Sequence, residues 1–232
     1  PVGFSFTSRP FEAWYVPLRA GGESVLPADQ VRELLKHCIV DAQIKLVGQN
    51  IKYDYKIMYR WGICGIQPWF DTMIAAWLLD AASGSYNLDH LAQRHLDGYR
   101  TIHFDEVVTT KDGLFSDVPL EAAVRYAAED ADITWRLHLI FGEALKSRGF
   151  ERLFHDLEMP LVKILADMEL AGVSLDVSKL VQFDHEVIER VSAIEQQIYR
   201  LCGKEFNINS TKQLQEVLFV QRGLPAGKKN KT

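Results

Sequence analysis

The sequence predicts an α/β unit over residues 1–149 followed by an all-helical segment over residues 150–232. In the first part, short strand-like runs recur between amphipathic helical patterns, which is typical of a sheet covered by helices. A helical pattern that begins at Pro119 stops at Gly149, a residue type common just after a helix. Beyond it helical periodicity dominates, with one brief extended break at 172–175. These observations place the domain boundary near residue 149.

The first elements alternate between strand and helix. Residues 2–7 alternate small and large side chains, and residues 11–18 are rich in aromatic and β-branched types. They predict a hairpin that turns at Pro10. An amphipathic helix starts near Pro27, and residues 44–48 form the next predicted strand.

The later helices are predicted from their apolar spacing and capping residues. The patterns predict helices over 52–61, 72–79, 88–96 and 119–148, and a last helix from Ser210 to about residue 220. Residues 97–118 show little periodicity and predict an irregular surface segment.

The composition is that of an ordinary globular protein, with 47% hydrophobic and 25% charged residues. The net charge of -5 does not indicate a nucleic-acid partner, but it does not exclude one, because a metal-binding site needs carboxylates. The 3 cysteines are far apart, which favours a reducing compartment over a disulfide framework or a zinc site. No apolar run approaches the roughly 18 residues that span a bilayer, and no signal peptide is visible. We therefore expect a cytoplasmic protein without a membrane partner.

The first candidate site follows the strand at 44–48. Gly48 is a tight-turn residue, and Asn50 and Asp54 are four residues apart, so they share one face of the helix that begins there. Open α/β sheets place ligands beyond the carboxyl ends of their strands, which is where these side chains would project. The alternative is an ordinary helix cap beside a solvated carboxylate.

The second candidate site lies on the long helix, where Tyr126 and Asp130 are again four residues apart. One interpretation is a solvated acidic face that includes Glu129 and Asp132. The other is that Asp54 and Asp130 meet across the sheet to hold Mg²⁺, which prefers carboxylate oxygens. Two such ions, roughly 3.5–4 Å apart, can activate a water for phosphodiester hydrolysis, and a tyrosine nearby could orient that water.

Several segments resemble those of family A DNA polymerases, the bacterial DNA polymerase I type. Gly-Gln-Asn-Ile-Lys-Tyr-Asp at 48–54, Phe-Asp-Thr-Met at 70–73 and Tyr-Ala-Ala-Glu-Asp-Ala-Asp at 126–132 resemble the second and third exonuclease motifs. The segments at 157–162, 172–173, 205–207 and 210–214 resemble the start of the polymerase domain. The resemblance covers nearly the whole chain in the same order.

The resemblance implies a ribonuclease H-like exonuclease domain that removes misincorporated nucleotides from the 3′ end of DNA. It implies that Asp130 is a ligand of one metal ion, Mg²⁺ or Mn²⁺, and that Asp54 helps to hold a second. Tyr126 would orient the attacking water. The helical segment would form the base of the polymerase thumb, and the residues for nucleotidyl transfer would lie beyond Thr232.

The same resemblance assigns residues that contact DNA. Gln49, Asn50, Tyr53 and Phe104 would contact the terminal nucleotides, and the rings of Tyr53 and Phe104 would stack on unpaired bases. Core packing is the alternative for these two rings. Lys52 would bind a backbone phosphate. The expected partners are the single-stranded 3′ end of a DNA primer and the remainder of the polymerase chain, in a monomer at the bacterial nucleoid.

The sequence departs from the family pattern in two places. The family's first motif, Asp-x-Glu, belongs just before residues 2–7, so we expect the chain alone to have little or no nuclease activity. The triplets at 167–169 and 184–186 have this spacing but lie on predicted helices in the wrong order. Ser85 occupies a position where relatives can carry an arginine, which would weaken a phosphate contact.

Two other functions are compatible with these motifs. The domain could be catalytically silent and serve only to brace the polymerase, although intact Asn50, Asp54, Tyr126 and Asp130 argue against this. A ribonuclease D-like RNA-processing enzyme would share the carboxylates and the tyrosine. The segments at 157–162 and 210–214 argue against that alternative.

Overall fold

The structure, a computed structural model, describes residues 1–110 and 112–225. The strands are β1 (Gly3–Arg9), β2 (Glu12–Pro17), β3 (Arg19–Ala20), β4 (Glu23–Ser24), β5 (Lys45–Gly48) and β6 (Gln67–Asp71). The helices are α1 (Ala28–Leu35), α2 (Ile51–Arg60), α3 (Thr72–Leu79), α4 (Leu88–His95), α5 (Phe104–Val107), α6 (Leu120–Ser147), α7 (Met159–Ala171), α8 (Val177–Cys202) and α9 (Thr211–Gln215). Short π-helical segments follow α1, precede α7 and follow α9.

The described strands form three two-stranded pairs, β1–β2, β3–β4 and β5–β6. β1 and β2 form an antiparallel hairpin, which confirms the predicted turn at Pro10. β5 and β6 are parallel and are joined through α2, so they form a β-α-β unit. In this unit Gly48 pairs with Asp71 at the carboxyl ends of both strands. The turn before α2 and the start of α3 therefore meet at one edge of the sheet.

The long helix α6 organises the core of the α/β unit. It packs against β1, β2 and β5 and against α3 and α4. Its buried residues recur at helical spacing and are Ala123, Ala127, Ile133, Leu137, Phe141 and Leu145. Phe70 from β6 and Phe154 belong to the same hydrophobic cluster. The opposite face of α6 does not belong to this core, so it can carry polar side chains.

The chain divides into two compact units, Pro1–Gly172 and Val173–Thr232. α7 belongs to the first unit because it packs on α2, and the extended break at 172–175 separates it from α8. The domain boundary near residue 149 stays a prediction, since compactness places the division after Gly172. In residues 1–110 and 112–225, no helix is both long enough and apolar enough to cross a membrane.

The predicted irregular segment at 97–118 is more ordered than expected. It contains α5 and a 3₁₀ turn at Phe115–Asp117. The turn is tied to the β3–β4 hairpin, because the amide groups of Gly21 and Gly22 donate to the carbonyl groups of Val118 and Ser116, each at 2.9 Å. Periodicity missed these elements because each is shorter than two helical turns.

The carboxylate of Asp71 connects the starts of two helices. It accepts hydrogen bonds from the amide groups of Asn50 and Ile51 at 3.1 and 2.8 Å, at the start of α2. It also accepts from Met73 and Ile74 at 2.9 and 3.4 Å, at the start of α3. Asp71 is only 1% exposed, so each of these amide groups would lack a partner without it.

We predict that Asp71→Ala lowers the free energy of unfolding by about 2–4 kcal/mol, because it leaves one buried and three partly buried amide groups without an acceptor. Urea unfolding followed by circular dichroism measures this loss. The matched control is Asn87→Ala, which removes an exposed cap that accepts one bond from the His90 amide at 2.9 Å and should cost about 1 kcal/mol. Equal losses for the two variants would contradict the proposed role of Asp71.

Candidate functional site

The turn between β5 and α2 is tightly built. Asn50 has a left-handed backbone conformation, with φ at 55°, and its side chain does not cap α2. The buried carboxylate of Asp71 caps the helix instead. Gly48 packs closely on α2, because a Cβ atom there would lie 3.0 Å from the side chain of Ile51, which would have to shift. The Asn50 side chain is thereby left for other contacts.

Gln49 is held between two neighbouring segments. Its amide nitrogen donates to the carbonyl oxygen of Tyr86 at 2.8 Å, and its amide oxygen accepts from the hydroxyl group of Thr72. The same hydroxyl group lies 3.2 Å from the carbonyl oxygen of Gly48. Gln49 therefore fixes the loop after α3 against the β5–α2 turn, and its predicted contact with a nucleotide stays a prediction.

Asp54 lies on the first turns of α2, at the surface. Water reaches the residue, yet protein atoms surround its carboxyl group on most sides. This burial, with a smaller contribution from the charge of Asp71, raises the pKa of Asp54 to about 6. Its neighbour Tyr53 is 59% exposed, so the core-packing alternative for that ring is wrong. α2 thus presents an acidic group and an aromatic ring at the surface.

Tyr126 and Asp130 lie together on α6, as their spacing predicts. The pKa of Asp130 is raised to about 7, first by burial and then by the charge of Glu129. A hydrogen bond from the hydroxyl group of Tyr126 lowers this pKa, and the charge of Asp89 raises it by a smaller amount. Burial and the charge of Asp130 also raise the pKa of Tyr126 well above its ordinary value. The phenol therefore keeps its proton and can donate a hydrogen bond.

Asp54 and Asp130 do not share a contact. Among the described residues, no hydrogen bond joins the two carboxylates, and neither charge contributes to the pKa of the other. In that same part of the chain, no group of three or more histidine, cysteine, aspartate or glutamate residues could hold a metal ion. The two carboxylates suit a hard divalent cation by their chemistry, and neither forms an ion pair with a described residue, but they supply only part of a ligand set.

Phe104 lies beside Tyr126, with ring centroids 6.2 Å apart, and is 47% exposed. The core-packing alternative for Phe104 is therefore also wrong. Phe115 contacts both rings, at 6.2 Å from Phe104 and 5.6 Å from Tyr126. Sequence reasoning missed Phe115, although an aromatic residue in a polar, irregular segment is a signal that could have identified it.

Two carboxylates that sequence reasoning did not connect with the site hold the segment before Phe104. Asp89 accepts from the hydroxyl group of Thr101 at 2.6 Å. Glu129 accepts from the amide group of Ile102 at 2.6 Å and from the hydroxyl group of Tyr99 at 2.9 Å. These contacts fix the chain that carries Phe104 against α4 and α6.

Lys52, the predicted phosphate ligand, has a partner within the protein. Its ammonium group lies 2.6 Å from the carboxylate of Glu169 on α7, which also pairs with Lys56. The two lysines lower the pKa of Glu169 to about 2. Glu169 is thus an ion-pair partner on a helix, in agreement with the prediction that the triplet at 167–169 is not the missing motif.

Comparison with known proteins identifies two families along the chain. A family described as 3′-5′ exonuclease matches residues 3–146, and one described as DNA polymerase family A matches residues 177–232. The DNA polymerase I of Treponema pallidum is 46% identical, in an alignment that covers 82% of this chain and 19% of that protein. The DNA polymerase I of Borreliella burgdorferi is 37% identical over 99% of this chain and 25% of that protein. The chain spans about a quarter or less of the length of these relatives.

A solved structure has the same fold. It is the POL domain of Pol1 from M. smegmatis in complex with DNA primer-template and dNTP, with a TM-score of 0.67 and 24% sequence identity. The match covers 95% of this chain and 34% of that one. At this identity the likeness concerns the fold alone.

We predict that Asp130→Asn stabilises the protein at high pH. The pKa of Asp130 is about 7 in the folded state and 3.8 in the unfolded state. Between pH 3.8 and pH 7 the folded state therefore binds more protons than the unfolded state. The free energy of unfolding falls as the pH rises through this range. The variant should gain about 1–2 kcal/mol at pH 8, after allowance for partial exposure, and almost nothing at pH 4. Urea unfolding with a chelator present measures both values.

The control for this prediction is Glu143→Gln, an exposed residue on the same helix. Its effect should stay within about 0.5 kcal/mol at both pH values. If Asp130→Asn is no more stable than the unchanged protein at pH 8, Asp130 is not an uncompensated carboxylate.

Proposed function

The chain belongs to the 3′-5′ exonuclease family of family A DNA polymerases, and we propose that it is the proofreading domain and the start of the polymerase domain of a DNA polymerase I-like enzyme. It has the ribonuclease H-like α/β fold of that exonuclease, followed by helices. The single observation that carries the proposal is the hydrogen-bonded pair of Tyr126 and Asp130, a half-buried phenol and carboxyl group with no ion-pair partner among the described residues. In this proposal the exonuclease domain ends near residue 149.

The proposed reaction is hydrolysis of the last phosphodiester bond at the 3′ end of DNA. Asp130 would bind one divalent ion, Mg²⁺ or Mn²⁺, and Asp54 would help to hold a second. These ions would supply charge stabilisation and an activated water. The charge of a bound cation would outweigh the desolvation that raises the pKa of both carboxyl groups, so each side chain would be ionised with the ion in place.

Tyr126 orients the water in this mechanism. Its phenol is neutral and lies beside Asp130, so it can accept or donate a hydrogen bond close to the metal ligand. The high pKa excludes a phenolate base at neutral pH. Tyr126 therefore acts by positioning the nucleophile and not by removing its proton.

The exposed aromatic rings receive the DNA end. Tyr53 and Phe104 both present their rings to solvent, and such rings stack on unpaired bases without selecting a sequence. The side chain of Asn50 makes no hydrogen bond to another described residue, and at the β5–α2 turn it contacts the terminal nucleotide. Gln49 supports that turn through Tyr86 and contacts the same nucleotide through its remaining hydrogen-bonding capacity. The substrate is thus a frayed, single-stranded 3′ end.

Lys52 binds a backbone phosphate in competition with Glu169. Its side chain is partly exposed, so a phosphate can approach without a change in the backbone. Lys56 remains as a second partner for Glu169 when Lys52 turns towards the DNA. The remainder of the polymerase chain is the other partner in this proposal and would deliver the primer end.

The bracing role is the second candidate function. It is favoured by one observation, the lack of a three-ligand metal cluster in the described residues. The uncompensated Asp54 and Asp130 argue against it, because a bracing domain gains stability by replacing them. The match of residues 177–232 to DNA polymerase family A argues against a ribonuclease D-like enzyme.

We predict that Asp54→Ala or Asp130→Ala, made in the full-length polymerase, lowers the rate of 3′ excision about a hundredfold or more and leaves DNA synthesis unchanged. The loss follows from removal of a metal ligand, since such an ion contributes several kcal/mol to the transition state. Release of a mismatched 3′ nucleotide measures excision, and primer extension measures synthesis.

The matched control is Asp184→Ala, an exposed aspartate on α8 within the second Asp-x-Glu-like triplet. Its excision rate should equal that of the unchanged enzyme. Normal excision by the Asp130→Ala enzyme would rule out the proposed metal site.

A further inference from the structure

Three aromatic rings from three separate segments form a cluster beside Asp130. Phe104 lies on α5, Phe115 on the 3₁₀ turn and Tyr126 on α6. The rings of Phe104 and Phe115 are stacked at 22°, Phe104 and Tyr126 meet edge to face at 72°, and Phe115 is tilted at 54° on Tyr126. Each ring therefore contacts the other two. The proposed reaction uses Phe104 and Tyr126 but assigns no role to Phe115.

Phe104 depends on its neighbours for its orientation. α5 has only 4 residues, which is too short to be stable alone. Just before α5, the carboxylate of Asp89 contacts the side chains of Thr101 and His103. The carboxylate of Glu129 accepts from the amide group of Ile102. These bonds do not fix the ring. Phe115 and Tyr126 are the aromatic partners that do so, at distances where offset and edge-to-face pairs attract each other.

Phe115 is better anchored than Phe104. The next residue, Ser116, accepts from the amide group of Gly22, and Val118 accepts from the amide group of Gly21. The turn that carries Phe115 is thus bound to the β3–β4 hairpin. The side chain of Phe115 is half-buried, whereas that of Phe104 is exposed. Phe115 can therefore act as a fixed support for the Phe104 ring.

We propose that Phe115 is a positioning residue for the 3′-terminal nucleotide of single-stranded DNA. It holds the ring of Phe104 in the orientation in which an unpaired base stacks on it, and it holds the phenol of Tyr126 from a second side. The ligand class is an unpaired nucleobase at a 3′ end, so this inference rests on the proposed exonuclease function. Phe115 acts through Phe104 and Tyr126 and does not itself contact the base.

The test is binding of the chain to an oligothymidylate that ends in 2-aminopurine, whose fluorescence falls when it stacks. A chelator is present, so no divalent ion supports hydrolysis. Phe115→Leu should weaken binding about threefold to tenfold and reduce the quenching, because the aromatic pair with Phe104 is lost. Phe115→Tyr keeps the ring and should bind within about twofold of the unchanged chain.

Circular dichroism verifies folding, and Phe115→Met replaces the leucine variant if that variant does not fold.

The control is Leu139→Ala, which truncates an apolar side chain that is 46% exposed on the same helix as Tyr126. It lies 13 residues further along α6, roughly 20 Å away at the rise of an α-helix. Its binding and quenching should equal those of the unchanged chain. Equal losses in Leu139→Ala and Phe115→Leu would overturn the inference, because the effect would then be general.

A double-mutant cycle separates positioning from direct contact. If Phe115 acts through Phe104, then Phe115→Leu has little further effect on binding in a Phe104→Leu background. Fully additive losses would overturn the positioning role. Normal binding and quenching by Phe115→Leu would overturn the inference alone and leave the proposed function intact. Failure of the unchanged chain to bind the oligonucleotide would overturn the proposed function, and the inference with it.

Discussion

The carboxylate of Asp71 accepts hydrogen bonds from amide groups at the start of both α2 and α3, and the candidate site depends on this arrangement. Asp71 ends β6 and pairs with Gly48, which ends β5. Because Asp71 caps α2 from the neighbouring strand, Asn50 can adopt a left-handed conformation without using its side chain as the cap. The direction of α2, and with it the position of Asp54, is thereby fixed from the edge of the sheet.

The charged groups of the site differ from those elsewhere in the α/β unit. Asp132 pairs with Arg136, and Glu169 pairs with lysines, so these carboxylates are compensated within the protein. Asp54 and Asp130 form no ion pair within residues 1–110 and 112–225, and burial raises the pKa of both. Such groups lower stability at neutral pH unless a cation binds, which is the usual relation between function and stability at an active site.

Much of the fold could be predicted from the sequence, because the hairpin, the β5–α2 unit and α6 follow hydrophobic periodicity. The spacing of Tyr126 and Asp130 also predicted their contact. Long-range partners could not be predicted from local patterns. The sequence marks Asp71 only as part of a motif, since its bonds to α2 cross about 20 residues. The same limit applies to Glu169, whose partner Lys52 is 117 residues away.

In the proposed site, Asp54 and Asp130 would hold divalent ions. Paramagnetic broadening by Mn²⁺ in the amide NMR spectrum of the 26.4 kDa chain tests it most directly. The proposed site predicts that low concentrations of Mn²⁺ broaden the resonances around Asp54 and Asp130 first, and that an Asp54→Asn, Asp130→Asn double variant loses this effect. Broadening that starts at other acidic surfaces, such as α8, and persists in the double variant would contradict the claim.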